Sequence, residues 1–163
     1  MKAYIMATIS EFIVSLQQND FLKVKKLLRD GADVNDCNEN GVSLLALALY
    51  HRCDDEIVEL LIEGGSDIYS VDEDGVSIFD YAIMCNYPFL VDILLGKGVD
   101  LNSTQRSSGF TPLMGAVCYG RSEMVSLFLK HGADRMLRDA KGLSAIDFAR
   151  KMKKKSMQQL LEE

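Results

Sequence analysis

The residues in this chain that are able to do chemistry are few and poorly spaced for it. Only two histidines occur among the 163 residues, His51 and His131, so a Ser-His-Asp or Cys-His arrangement would have to use one of them. His131 precedes Gly132, where an imidazole sits near helix-terminal carbonyls. His51 stands in an irregular stretch and reads as a surface contact. Cys37, Cys53, Cys85 and Cys118 lack the Cys-x-x-Cys spacing of a zinc site and read as reduced thiols. Gly96-Lys97-Gly98 lacks the upstream glycine and the following Ser or Thr of a phosphate loop. Asp54-Asp55, and Asp72 with Asp74, lack the ligand pattern of a calcium loop. The sequence therefore predicts no catalytic residue, no metal and no cofactor, and an enzyme would need an unrecognised site near His51.

Bulk properties narrow the alternatives. With 48% hydrophobic and 26% charged residues, the composition is that of an ordinary globular domain. A formal charge of -6 argues against non-specific nucleic-acid binding, which rests on phosphate neutralisation. No stretch approaches the roughly 20 apolar residues of a membrane span. The apolar start, Met1 to Ile9, is interrupted by Glu11 and lacks a small-residue cleavage site. A cytoplasmic location is the resulting expectation. Arg150-Lys151-Met152-Lys153-Lys154-Lys155 reads as the polar outer face of a terminal helix rather than a nucleic-acid or membrane patch, because no aromatics are interleaved.

The positioning elements announce themselves by recurrence. Gly31-Ala32-Asp33-Val34-Asn35, Gly65-Ser66-Asp67-Ile68-Tyr69, Gly98-Val99-Asp100-Leu101-Asn102 and Gly132-Ala133-Asp134-Arg135-Met136 follow one another at 34, 33 and 34 residues. A second phrase runs in phase: Gly41-Val42-Ser43-Leu44-Leu45, Gly75-Val76-Ser77-Ile78-Phe79, Gly109-Phe110-Thr111-Pro112-Leu113 and Gly142-Leu143-Ser144-Ala145-Ile146. Two phrases locked to one period identify an array of one repeated unit. Ser43, Ser77, Thr111 and Ser144 stand where a hydroxyl caps a helix start. Apolar Leu44-Leu45-Ala46-Leu47-Ala48-Leu49 suits a helix covered on all sides. Small Ala46, Ala48, Ala82, Ala116 and Ala149 permit close helix approach. A second helix per unit carries Val24, Leu27 and Leu28, then Ile57, Val58, Leu60 and Leu61, with later copies in phase.

The period and both phrases resemble the ankyrin repeat, a unit of about 33 residues built as a turn plus two antiparallel helices. Only Thr111-Pro112-Leu113 keeps that family's Thr-Pro-Leu turn. The resemblance implies an all-α ankyrin-repeat solenoid of stacked helix pairs with projecting fingers. About five units form a single domain over residues 1–163: an N-terminal cap at 1–37, then 38–71, 72–105, 106–138, and a C-terminal cap at 139–163. Left-handed residues are expected at each helix-stopping Gly of the first phrase and, between paired helices, at Asn19, Asn86 and Gly120. The second unit has one extra residue among 51–56, and the third finger has one extra among 102–108.

Repeat stacks recognise proteins without catalytic residues, and the family's contacts come chiefly from fingertips and inner-helix ends. Carried over position by position, the fingers give an apolar row of Val42, Val76, Phe110 and Leu143, with no evident core to fill, together with Glu73. The inner-helix ends give Tyr50, His51, Met84, Cys118 and Tyr119. The expected activity is non-catalytic binding of another protein by a chain that is a monomer when free. A regulatory or neutralising subunit of an enzyme or toxin is the alternative.

Overall fold

The computed structural model describes the backbone of residues 2–162 and the side chains of residues 9–162. Ten helices lie among them: α1 (Lys2–Gln17), α2 (Phe21–Arg29), α3 (Leu44–Tyr50), α4 (Asp55–Glu63), α5 (Ile78–Cys85), α6 (Pro88–Gly96), α7 (Pro112–Tyr119), α8 (Ser122–Lys130), α9 (Ala145–Lys151) and α10 (Lys155–Glu162). The chain divides into two compact units, Met1–Tyr81 and Ala82–Glu163. Within the first, α1 packs on α2 and α3, and α4 packs on α2 and α3. Within the second, α7 packs on α8 and α9, and α10 packs on α8 and α9.

Each inner helix begins where its hydroxyl residue stops the chain from fraying. Ser43 Oγ accepts from the Ala46 N–H, and Thr111 Oγ1 from the Met114 N–H. Ser77 and Ser144 do more: each accepts from the N–H three residues on and donates to that residue's carboxylate, Asp80 or Asp147, at 2.7 and 2.8 Å. Reciprocal bonding of this kind satisfies otherwise orphaned helix donors. Leu44 through Leu49 are all buried, as are Ala82, Ala116 and Ala149. A one-turn-wide apolar face would not achieve that, so these helices are enclosed by neighbours.

The recurring Gly-x-Asp phrase has a bonded cause. Gly31, Gly65, Gly98 and Gly132 adopt φ between 79° and 95°, which ends the preceding helix. The Asp two residues on then accepts, through Oδ1, from the N–H two residues beyond: Asp33 from Asn35, Asp67 from Tyr69, Asp100 from Asn102 and Asp134 from Met136, all at 2.8–2.9 Å. Side-chain turns of this type compete successfully with helix continuation.

Asn19, Asn86 and Gly120 are left-handed, with φ of 53°, 67° and 74°. Arg52 (φ 57°) and Lys153 (φ 56°) fill the same role in the second and last helix pairs. The extra residue of the second unit is Asp54, inserted between the turn and α4. It is fastened by Asn19, whose Nδ2 donates to Asp54 Oδ2 at 2.7 Å and whose Oδ1 accepts from the Asp54 N–H at 2.9 Å.

Side chains from one repeat also close the inner helix of the repeat before it. Cys53 Sγ donates to the Leu16 carbonyl at 3.2 Å. Arg121 donates to the carbonyls of Ile83 and Met84 at 3.3 and 2.7 Å, and Lys154 to those of Val117 and Cys118 at 3.0 and 2.7 Å. Cations at helix C-termini meet both unpaired carbonyls and the negative end of the macrodipole.

Candidate functional site

Three of the fingers turn on the same side-chain device. Asn38, Asp72 and Asp139 each accept, through Oδ1, from the N–H groups two and four residues on, so Val42, Val76 and Leu143 are held by their own backbones at 2.8–2.9 Å. The third finger has Arg106 at that place and no such acceptor. Its guanidinium instead lies over the Phe110 ring, 5.5 Å from the centroid, a cation–π contact.

The apolar row does not project freely. Val42, Val76, Phe110 and Leu143 are all half-buried, and Phe110 stands edge-to-face with Phe148 at 5.4 Å between ring centroids. Aromatic pairs gain from this geometry beyond the area they bury, so packing inside the repeat array uses part of the Phe110 ring. The expectation that these residues have no core to fill is corrected accordingly.

In the N-terminal unit, Glu73 is exposed and lies against Gly41 on the neighbouring finger, its Cγ 3.2 Å from where a Cβ would stand. Tyr50, at the end of α3, is 61% exposed, and its ring meets that of His51 edge-on at 5.4 Å. His51 is the residue that closes α3 and is half-buried.

In the C-terminal unit, Met84 and Cys118 are half-buried at the ends of α5 and α7, their carbonyls taken by Arg121 and Lys154. Burial pushes the Cys118 thiol up, with Lys154 opposing. Tyr119 beside it is 43% exposed. Phe110 and Tyr119 flank α7 at opposite ends, and eight residues rise about 12 Å. They do not form one aromatic cluster.

Further exposed side chains stand at a position the fingers share. Four residues after each helix-stopping Gly come Asn35, Tyr69, Asn102 and Met136. Asn35 Nδ2 donates to the Gly65 carbonyl and its Oδ1 accepts from the Asp67 N–H; Asn102 repeats both bonds with Gly132 and Asp134. At the same place Tyr69 and Met136 carry large side chains exposed by 57% and 67%. Aligning the four phrases makes this alternation visible, a signal for two large exposed side chains outside the apolar row.

A cleft of about 230 Å³ lies between the first two fingers, lined by Val34, Cys37, Leu45, Ser66, Asp67 and Ser70 among others. Another, of about 530 Å³, lies between α6 and α8 and mixes Asp92 and Glu123 with Arg121. All four cysteines are free thiols. Burial, then Asp54, pushes Cys53 up to about 11, which keeps it protonated and unreactive.

Comparison with known proteins gives one consistent result. A family described as ankyrin repeats (3 copies) matches residues 12–105, and one described as ankyrin repeats (many copies) matches residues 94–149. Similar proteins include the Homo sapiens inhibitor of Bruton tyrosine kinase, 39% identical over 67 residues, covering 41% of this chain and 5% of that protein. The Homo sapiens 2-5A-dependent ribonuclease is 43% identical over 53 residues, 32% of this chain and 7% of the ribonuclease. The Caenorhabditis elegans E3 ubiquitin-protein ligase hecd-1 is 43% identical over 61 residues, 37% of this chain and 2% of the ligase. The matched segments are thus a small fraction of these relatives' length, and what is shared is the repeat: the chain belongs to the ankyrin repeat family.

Proposed function

We propose that this chain is a non-catalytic protein-interaction module, a single ankyrin-repeat domain of five units that binds a partner protein through its fingers and inner-helix ends. One observation carries the reading. Tyr50 and Tyr119 are bulky and exposed, by 61% and 43%, yet each ends a helix that is otherwise mostly buried. A tyrosine on a rigid support loses little freedom on binding, and tyrosine is enriched at interface hot spots. Met84, Cys118, Phe110 and Leu143 supply contacts on the C-terminal unit. Val42, His51, Glu73 and Val76 supply them on the N-terminal unit. No helix among the described residues is long and apolar enough to cross a membrane, and a cytoplasmic monomer is the form proposed.

The test is capture followed by reconstitution. Partners retained from the native host's lysate are identified by mass spectrometry, and the purified partner is titrated against wild type and a Phe110→Ala, Tyr119→Ala double variant. Losing both rings weakens binding by more than about tenfold; because Phe110 also packs on Phe148, Tyr119→Ala alone is the variant that weakens binding with packing and helical circular dichroism unchanged. Equal affinity defeats the reading. A relative named as an inhibitor of a kinase favours the second possibility, a regulatory or neutralising subunit. An unchanged turnover of a captured enzyme on saturation with this chain rejects it.

A further inference from the structure

The cleft between the first two fingers differs from its counterparts in one residue. The second position of the Gly-x-Asp phrase is Ala32, Ser66, Val99 and Ala133 in the four copies. Only the second copy has a hydroxyl, and it is there that the hydroxyl is buried: Ser66 is 8% exposed, lines the cleft, and its Oγ has no hydrogen-bond partner among the described residues. A buried hydroxyl without a partner costs free energy, and Ala at the same place in two other copies shows that the fold does not require it.

The rest of the lining has two characters. Val34 and Leu45 are buried and apolar. The polar part of the lining is Ser43 and Ser70, whose hydroxyls meet at 3.3 Å, and Asp67, whose Oδ1 accepts from the Tyr69 N–H. At about 230 Å³ the space falls below the roughly 300–1,000 Å³ of small-molecule sites and suits a single side chain. The charge of the surroundings is one-sided. Residues 31–81 contain one Lys or Arg, Arg52, against thirteen Asp and Glu. On the fingertips flanking the cleft, Glu39, Glu73 and Asp74 are exposed.

We propose that this cleft receives an arginine side chain from a basic segment of the partner. The aliphatic stem lies on Val34 and Leu45, and the guanidinium donates to Ser66 Oγ and Asp67 Oδ2. An amphipathic side chain matches an apolar wall with a polar end, and a planar fork of five donors can serve several acceptors at once where an ammonium cannot. The exposed Tyr69 ring, two residues from Asp67, and the acidic fingertips orient the same segment. The inference rests on the interaction-module reading and supplies the chemistry of what is recognised.

The probe is a fluorescein-labelled peptide of alternating Arg and Leu, with Lys–Leu and Gln–Leu peptides as controls, read by anisotropy and by amide chemical shifts of the full chain. Expected is binding of the Arg peptide in preference to the Lys peptide, with shifts concentrated at residues 34–37 and 66–70. Ser66→Ala, which installs the residue of two sibling repeats, folds normally and binds about tenfold more weakly, the size of one lost charge-assisted hydrogen bond. Asp67→Asn retains the turn acceptor and weakens binding similarly. Three results overturn the proposal. One is Ser66→Ala binding as wild type. Another is Arg and Lys peptides binding alike, with shifts spread over Glu39, Glu73 and Asp74, which is plain charge attraction. The third is a wild-type dimer lost in Ser66→Ala by sedimentation, which makes a second copy the occupant. A captured partner sensitive to the Phe110 and Tyr119 substitutions but not to Ser66→Ala removes the cleft and leaves the module reading standing.

Discussion

Asp147 shows how far a single capping residue carries its surroundings. Its carboxyl is held below the usual range first by the Ser144 backbone N–H, then by the Ser144 hydroxyl, with Arg138 and Arg150 adding to both. A depressed folded-state pKa contributes stability above the unfolded value, and that contribution is lost as pH falls through the folded one. Urea midpoints are expected to decline as pH falls from about 5 through and below the ordinary carboxylate range, and Asp147→Asn flattens that slope. Asn102 offers a second test. Its amide bonds both Gly132 and Asp134, and Asn102→Ala lowers stability by about 1 kcal/mol, seen as a shifted urea midpoint at unchanged slope. The capping hydroxyls at Ser43, Ser77, Thr111 and Ser144 were legible because donor and acceptor are three residues apart. The Asn35 and Asn102 bonds were not, because their partners lie 30 and 32 residues away. Nor could an apolar row reveal that Phe110 leans on Phe148, since periodicity gives a direction and not a neighbour.

Helices here are finished by their neighbours as much as by their own sequences. Lys154 reaches two carbonyls at the end of α7, and Lys154→Met strips that helix terminus of its cation. The expected cost is about 1.5–3 kcal/mol, measured by chemical denaturation, and a loss near zero would mean water serves as well. Lys153 tests the backbone instead. It is exposed and left-handed at φ 56°, a conformation that favours glycine. Lys153→Gly is expected to raise stability by up to about 1 kcal/mol, since relieved strain outweighs the added freedom of the unfolded chain. The length irregularities were legible as counts. Which residue absorbed that of the second unit was not, because the answer depended on Asn19 and its bonds to Asp54, 35 residues away.

Charge separates the two halves of the chain more sharply than the overall -6 suggests. Residues 1–81 hold 6 Lys and Arg against 16 Asp and Glu, a formal charge of -10, whereas residues 82–163 hold 12 against 8, a formal charge of +4. Self-repulsion within a compact unit is screened by salt. Raising NaCl from about 10 to 150 mM shortens the screening length from roughly 30 to 8 Å. Amide exchange is therefore expected to slow more in residues 1–81 than in 82–163; equal slowing would show that the acidic excess is already neutralised locally. The fold class was readable from recurrence alone, because a stacked array needs only a repeated pattern of short-range contacts.

Repeats built to one pattern pose a problem of order, since surfaces that look alike can stack in the wrong sequence or with another chain's copy. The Asn19–Asp54 latch supplies an address. Asn86 presents the same amide at the same left-handed turn, but in the following repeat Arg121 is succeeded at once by α8, with no inserted carboxylate. An extra residue that breaks the period thus fastens the first repeat to the second by two bonds, a mark that distinguishes this junction from the one after Asn86.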